Sequence, residues 1–221
     1  MSNEEEIIKI VLIGDEGVGK TSIISRYKND TSIENMETSL GASFCGKKIQ
    51  IGDKTVLINI WDTAGQEKYH SISISFYRDA KIVCLVYDIT NQDSFVNLKE
   101  KWLKDVQNYG EKNTILAVVG NKSDLFKKEQ VTEEEARKFA EKRGAIFMST
   151  SCENGGDNIK ELFESLAKKY LSLKYNSKLN EMKNERTQSF RLGIDKNDKY
   201  YKKKFDGVYN IILKDILITY F

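Results

Sequence analysis

The sequence predicts a three-layer α/β sandwich: a six-stranded, mostly parallel sheet with one antiparallel edge strand, and helices on both faces. Three observations carry this expectation. The apolar runs Ile7–Ile13, Ile82–Tyr87 and Ile115–Val119 are short, β-branched and nearly continuous, as strands covered on both faces must be. Helical patterns alternate with them, the arrangement that parallel crossover connections require. Ser43–Ile51 and Thr55–Trp61 flank Gly52-Asp53, a hairpin pattern that supplies the antiparallel edge pair.

Taken in order, the first strand leads into a helix over Lys20–Lys28, and the hairpin follows. Ile82–Tyr87 leads into a helix over Ser94–Tyr109, and Ile115–Val119 into one over Thr132–Arg143. That helix opens Thr132-Glu-Glu-Glu135, a capping box in which the Thr side chain and the Glu three residues on satisfy exposed backbone N–H groups. Ala145–Thr150 is the last strand and Ile159–Leu173 a closing amphipathic helix. From about Lys174 the periodicity degrades, and Asn176–Lys204 reads as flexible linker. The expected organisation is one domain over residues 1–173 with a tail over 174–221.

Composition agrees with one full core plus an appendage: 221 residues, 40% hydrophobic and 31% charged. The net charge of +2 is unevenly spread, because residues 1–173 carry 24 basic and 27 acidic side chains and the tail carries 11 and 6. A basic tail of this kind is expected to be solvated, with no nucleic-acid partner. The cysteines Cys45, Cys84 and Cys152 have no paired spacing, which points to a reduced, cytoplasmic protein; a monomer is expected. An acidic N-terminus and the lack of a long apolar run argue against a signal peptide or membrane span. Proline is absent, so turns rely on Gly, Asn, Asp and Ser.

Three loops carry chemistry. Gly14-Asp-Glu-Gly-Val-Gly-Lys-Thr21 fits the G-x-x-x-x-G-K-[ST] phosphate loop and lies between a predicted strand and a predicted helix, the context the motif needs. Backbone N–H groups of Glu16, Gly17, Val18, Gly19 and Ser22 and the helix N-terminus favour phosphate there. Lys20 reaches the β- and γ-phosphates, and the Thr21 hydroxyl suits Mg²⁺. Asp62-Thr-Ala-Gly-Gln-Glu67 ends a strand, so Asp62 can support the metal through water, Gly65 can approach the γ-phosphate and Gln66 can orient the attacking water. Asn121-Lys-Ser-Asp124 ends another strand. The Asp124 carboxylate can accept from guanine N1–H and the exocyclic amine, a donor pair that adenine lacks. Asn121 and Lys122 belong to the same loop, and Thr150-Ser151-Cys152 can offer backbone N–H groups to the guanine oxygen.

These residues resemble the small GTPase superfamily, and its Rab branch in particular, over roughly residues 6–173. Trp61–Glu67, Tyr69–Ile72 and Phe76–Ala80 are similar to Rab segments around the second switch, and Leu40–Phe44 is similar to the early-endosomal Rab effector stretch. The resemblance implies the P-loop GTPase fold, GTP and GDP as ligands with Mg²⁺, and hydrolysis of GTP as a switch in vesicle traffic. It implies partners too: an exchange factor, effectors and a GTPase-activating protein, engaged through residues around 32–43 and 64–78. The chain would then sit in the cytoplasm or peripherally on endosomal or other vesicle membranes.

Departures from the family pattern set further expectations. The γ-phosphate-sensing threonine falls on Ser39, which keeps the hydroxyl for Mg²⁺ but loses a methyl. The aromatic residue against guanine falls near Ser32, and the usual lysine is Glu153, so looser nucleotide binding is expected. Glu16 stands where relatives have a small residue, and a carboxylate near phosphate is repelled. Slow hydrolysis is the expectation, with a solvent-facing, inert Glu16 as the alternative. A GTP-bound scaffold with little turnover is the second functional reading, and an ATP-dependent kinase is disfavoured by Asp124. No cysteine follows Cys152, so no prenyl anchor is expected. The stretch Phe205–Phe221 is compatible with a gene-end artefact, an element docked on its own domain, or an interfacial membrane contact.

Overall fold

The computed structural model describes residues 6–29, 44–63, 75–153 and 157–191. The readings on Ser32, Ser39, Gly65, Gln66, Tyr69–Ile72 and Phe205–Phe221 lie outside the described residues. The chain divides into two compact units, one of Met1–Ile49 with Thr55–Leu166 and one of Gln50–Lys54 with Ala167–Phe221.

Six strands form one sheet in the order β2-β3-β1-β4-β5-β6. They are β1 (Glu6–Ile13), β2 (Phe44–Ile51), β3 (Lys54–Asp62), β4 (Ile82–Asp88), β5 (Ile115–Asn121) and β6 (Ile146–Ser149). β1 pairs in parallel with β3 and β4, β4 with β5, and β5 with β6. β2 and β3 are joined by Gly52 and Asp53 alone, a connection that only an antiparallel pair can use. Gly52 takes φ 57° there, a left-handed conformation that costs glycine little.

The continuous apolar runs are the buried strands. All seven residues of β4 are buried, and Ile8, Ile10, Val11 and Leu12 of β1 are fully enclosed. Burying a Val, Leu or Ile side chain stabilises by about 1.5–3 kcal/mol relative to leaving it exposed, so these central strands carry much of the folding energy. Cys84 is sealed within β4, and burial pushes its thiol up to about 12. Helix α1 (Lys20–Asn29) packs through Tyr27 against Phe163, ring centroids 4.4 Å apart.

Helix α2 (residues 92–109) is continuous but not uniform: α-helical Gln92–Asn97 and Leu103–Tyr109 flank a π-helical turn, Leu98–Trp102. A short 3₁₀ stretch, Ser123–Lys128, follows β5. Helix α3 (Glu133–Glu141) begins as the capping motif predicts, with Thr132 Oγ1 accepting the Glu135 N–H at 3.2 Å. The Glu135 carboxylate pairs with Lys99 of α2 at 3.6 Å, so half of the expected box is local and half reaches a neighbouring helix.

Helix α4 runs Asp157–Arg191, which corrects the expected end at Leu173 and the linker reading of 176–191. No Gly or Pro occurs between Asp157 and Arg191, and the added segment is rich in residues that lose little freedom in a helix. Within the second unit, the Lys54 ammonium lies over the Tyr175 ring, 4.1 Å from its centroid, and hydrogen-bonds the Tyr175 hydroxyl. Among the described residues no helix is long and apolar enough to cross a membrane.

Candidate nucleotide site

Parallel pairing sends the carboxyl ends of β1, β3, β4, β5 and β6 to one edge of the sheet, and the order of strands reverses at β1. Ligands of open α/β sheets bind in the crevice at such a switch point. Register does the fine placement: Leu12 pairs with Asp62, Asp88 with Asn121 and Gly120 with Ser149. Residues distant in sequence thereby become neighbours at one rim.

The loop after β1 turns inward on its own lysine. Lys20 is only 4% exposed, and its Nζ donates to the carbonyls of Gly14 and Asp15, both at 2.8 Å. Val18 is buried, whereas Glu16, Gly17, Thr21 and Ser22 face solvent. Gly14 has φ 149°, and a Cβ there would overlap the Val86 carbonyl oxygen. Gly19 has φ 98°, and a Cβ there would overlap Asn121 Nδ2. The tight path of this loop is available to glycine alone, and it leaves the backbone exposed to an incoming anion.

Thr21, in the first turn of α1, donates its hydroxyl to Asp62 Oδ2 at 2.5 Å. Asp62 is buried at the end of β3, and the next residue, Thr63, donates to the Leu12 carbonyl at 3.0 Å. One hydroxyl and one carboxylate thus meet beside the phosphate loop, a hard oxygen donor set of the sort Mg²⁺ takes.

Asn121 binds the loops together. Its Nδ2 donates to the Val18 carbonyl at 2.8 Å, while its Oδ1 accepts from the Thr150 hydroxyl at 3.1 Å and from Cys152 Sγ at 3.9 Å. Asn121 is 1% exposed, so its bonds to Val18 and Thr150 are made out of water, where losing one leaves a costly orphan. Asp124 is exposed, and its Oδ1 accepts from the Ser151 hydroxyl at 2.5 Å. The Thr150 N–H is committed to the Gly120 carbonyl at 2.8 Å. Of Thr150-Ser151-Cys152, therefore, only the last two residues have amides outside that pairing. Burial raises the Cys152 thiol pKa, and the Asn121 contact only partly opposes this.

Sequence reasoning missed Asp88. Lys122 sits in the left-handed region at φ 65°, ψ 36°, and its Nζ pairs with Asp88 Oδ2 at 2.6 Å. Asp88 Oδ1 accepts from both the N–H and the hydroxyl of Thr90. Burial by itself would raise the Asp88 pKa, but the Lys122 and Thr90 hydrogen bonds outweigh it and hold the carboxyl below its ordinary value. A signal was present in an acidic residue ending a central strand, the position Asp62 occupies on β3. Replacing Asp88 with Asn is expected to speed GDP release about five- to tenfold, since a charge-assisted bond is worth about 1.5–3 kcal/mol and this one is partly exposed. Stopped-flow displacement of fluorescent GDP measures it. Because the folded-state pKa is depressed, the pair's contribution to stability is complete above the ordinary Asp value of 3.8 and is lost as pH falls through the lowered one.

A glycine-rich loop after β1 bolted to the loop after β5 at the switch point of a parallel sheet is the build of a P-loop GTPase. Likeness to known proteins narrows the class. The model of the Ras family matches residues 9–172. Ras-related protein RABF2b of Arabidopsis thaliana is 42% identical over 161 residues, which span 73% of this chain and 80% of that protein. Human Ras-related protein Rab-31 is 42% identical over 161 residues, 73% of this chain and 82% of its own. Ras-related protein Rab-5A of Dictyostelium discoideum is 40% identical over 171 residues, 76% and 84% of the two chains. The chain therefore belongs to the Ras family of small GTPases, on the Rab5 side of its Rab branch, and is a GTP hydrolase of membrane traffic.

Proposed function

We propose that this chain is a timed switch on endosomal or related vesicle membranes, which hydrolyses GTP to GDP and phosphate at the rim formed by β1, β3, β5 and β6. The observation that carries the reading is the 2.8 Å bond from Asn121 Nδ2 to the Val18 carbonyl. It makes the base-reading and phosphate-holding loops one rigid receptor. The G domain extends to about residue 173, with the segment beyond it as the tail.

In this reading Lys20 and the amides of residues 16–22 hold the phosphates, and Asp124 with Lys122 reads guanine against the Ser151-Cys152 amides. Thr21, Asp62 and Ser39 fit the metal, Gly65 meets the γ-phosphate and Gln66 orients the attacking water. Mg²⁺, when bound, neutralises charge on the β- and γ-phosphate oxygens. The chain's own contribution is positioning and fixed dipoles rather than covalent chemistry. Effectors, an exchange factor and a GTPase-activating protein would read the segments around 32–43 and 64–78. Single-turnover conversion of GTP by the Mg²⁺-loaded chain tests the reading, with a rate on the order of 10⁻⁴ s⁻¹ expected for an unassisted switch. GTP remaining bound and intact after a day would sink it.

Glu16 is exposed, which favours the solvent-facing alternative over an obstructed site. An exposed charge acts through water and is screened, typically worth under about 1 kcal/mol. Glu16→Gly is accordingly expected to change single-turnover hydrolysis by less than about fivefold. A larger acceleration would restore the slow-hydrolysis expectation.

A further inference from the structure

The geometry points to a positioning device behind the phosphate loop: Asp15, Asn97 and Trp102 form a clamp that sets the loop's nucleotide-holding shape, and the π-turn of α2 builds it. The proposal rests on reading residues 14–21 as the phosphate loop. Both oxygens of the Asp15 carboxylate are taken by donors from one helix. Trp102 Nε1 donates to Oδ1 at 2.7 Å, and Asn97 Nδ2 donates to Oδ2 at 2.7 Å. The backbone carbonyl of the same Asp15 accepts from Lys20 Nζ at 2.8 Å. Helix α2 therefore holds, by its side chain, the residue whose main chain holds the loop lysine.

The spacing explains the irregular helix. Asn97 and Trp102 are five residues apart, which at about 100° per residue sets them about 140° apart around an ordinary α-helix. Two such side chains cannot converge on one carboxylate. A π-turn, whose hydrogen bonds run from residue i to i+5, brings positions five apart back towards one side. The Leu103 N–H donates to the Leu98 carbonyl in this way, while the helix stays right-handed on both flanks. The widened turn lies over Leu98–Trp102, where that convergence is needed. Trp102 itself is 3% exposed within the core that contains Phe95, Val106 and Val118. Its indole N–H is thus delivered from a fixed ring.

Charge gives the clamp its purpose. A carboxylate in an anion-binding loop repels phosphate and competes for the lysine ammonium. Two neutral donors satisfy it on the helix side, while the Lys20 ammonium donates to the main-chain carbonyls of Gly14 and Asp15.

Release of fluorescent GDP from the Mg²⁺-loaded full chain tests this by a double-mutant cycle. Trp102→Phe keeps a buried ring and removes the N–H; it is expected to speed release about tenfold, as for loss of a bond to a charged group. In an Asp15→Ala background the same change is expected to alter release less than about twofold. Asn97→Ala, at an exposed position, runs the same cycle with no buried group disturbed, and is expected to give about three- to fivefold acceleration only when Asp15 is present. Wild-type release rates in Trp102→Phe and Asn97→Ala, or equal acceleration with and without Asp15, overturn the clamp alone. Failure of the unmutated chain to bind GDP overturns the phosphate-loop reading and the clamp with it.

Discussion

Asp124→Ala is expected to weaken GDP binding by a factor of a few hundred while leaving the fold intact. Asp124 is exposed at the end of the 3₁₀ turn's first step, and its known partner in the protein is the Ser151 hydroxyl. Little folding energy depends on it. A purine bearing N1–H and a 2-amino group offers this carboxylate two charge-assisted hydrogen bonds, together worth about 3–4 kcal/mol once the rim is covered by ligand. That converts to roughly two and a half decades in Kd. Competition against fluorescent GDP with GDP, inosine diphosphate and ADP resolves the source of the loss. The unmutated chain should favour GDP over inosine diphosphate, which lacks the amine, and should bind ADP far more weakly. In Asp124→Ala the gap between GDP and inosine diphosphate should close. An unchanged gap would remove Asp124 from base reading.

Gly19→Ala is expected to lower nucleotide affinity about a thousandfold and to destabilise the free protein as well. Two costs add. A residue with a Cβ at φ 98° is strained by about 1–3 kcal/mol. The new methyl also overlaps Asn121 Nδ2, which must leave the Val18 carbonyl. Breaking that buried bond costs about 1–3 kcal/mol for the orphaned groups, and it disconnects the phosphate loop from the base loop. Gly17→Ala is the control, since Gly17 also has positive φ, 81°, but a Cβ there meets nothing within 4 Å. It should show the strain alone, about tens-fold weaker binding. GDP titration and thermal unfolding of both variants check the difference, and equal effects would show that the Asn121 bolt is unimportant.

The strands were legible because a chain segment buried on both faces has no alternative to continuous apolar composition, and the β4 run is such a segment. The hairpin was legible from two turn residues between two alternating runs. Helix α4 was misjudged beyond Leu173 because hydrophobic periodicity reports which face is buried, not whether the backbone is helical. Past Tyr175 the segment has little apolar stripe to detect, yet it has no helix breaker either. In the sequence, the helical spacing of Trp102 speaks for packing alone. That is half of its role, since the same buried indole also donates to Asp15.

Local order carries the loops. Gly14–Thr21, Asp62-Thr63 and Asn121–Asp124 each stand at the end of an apolar run, and a run followed by such residues is readable in one dimension. Family membership followed from the same stretches. Partner choice is different in kind. Asp15 could pair with Lys20 or any of many surface cations, and its actual donors lie 82 and 87 residues away. Asp88 meets Lys122 because β4 and β5 are neighbours in parallel register. Sequence specifies burial, helix and strand pattern and the motif loops, because these depend on nearby residues. Which carboxylate answers which donor depends on strand order, register and a single π-turn, and these are settled only when distant segments pack against one another.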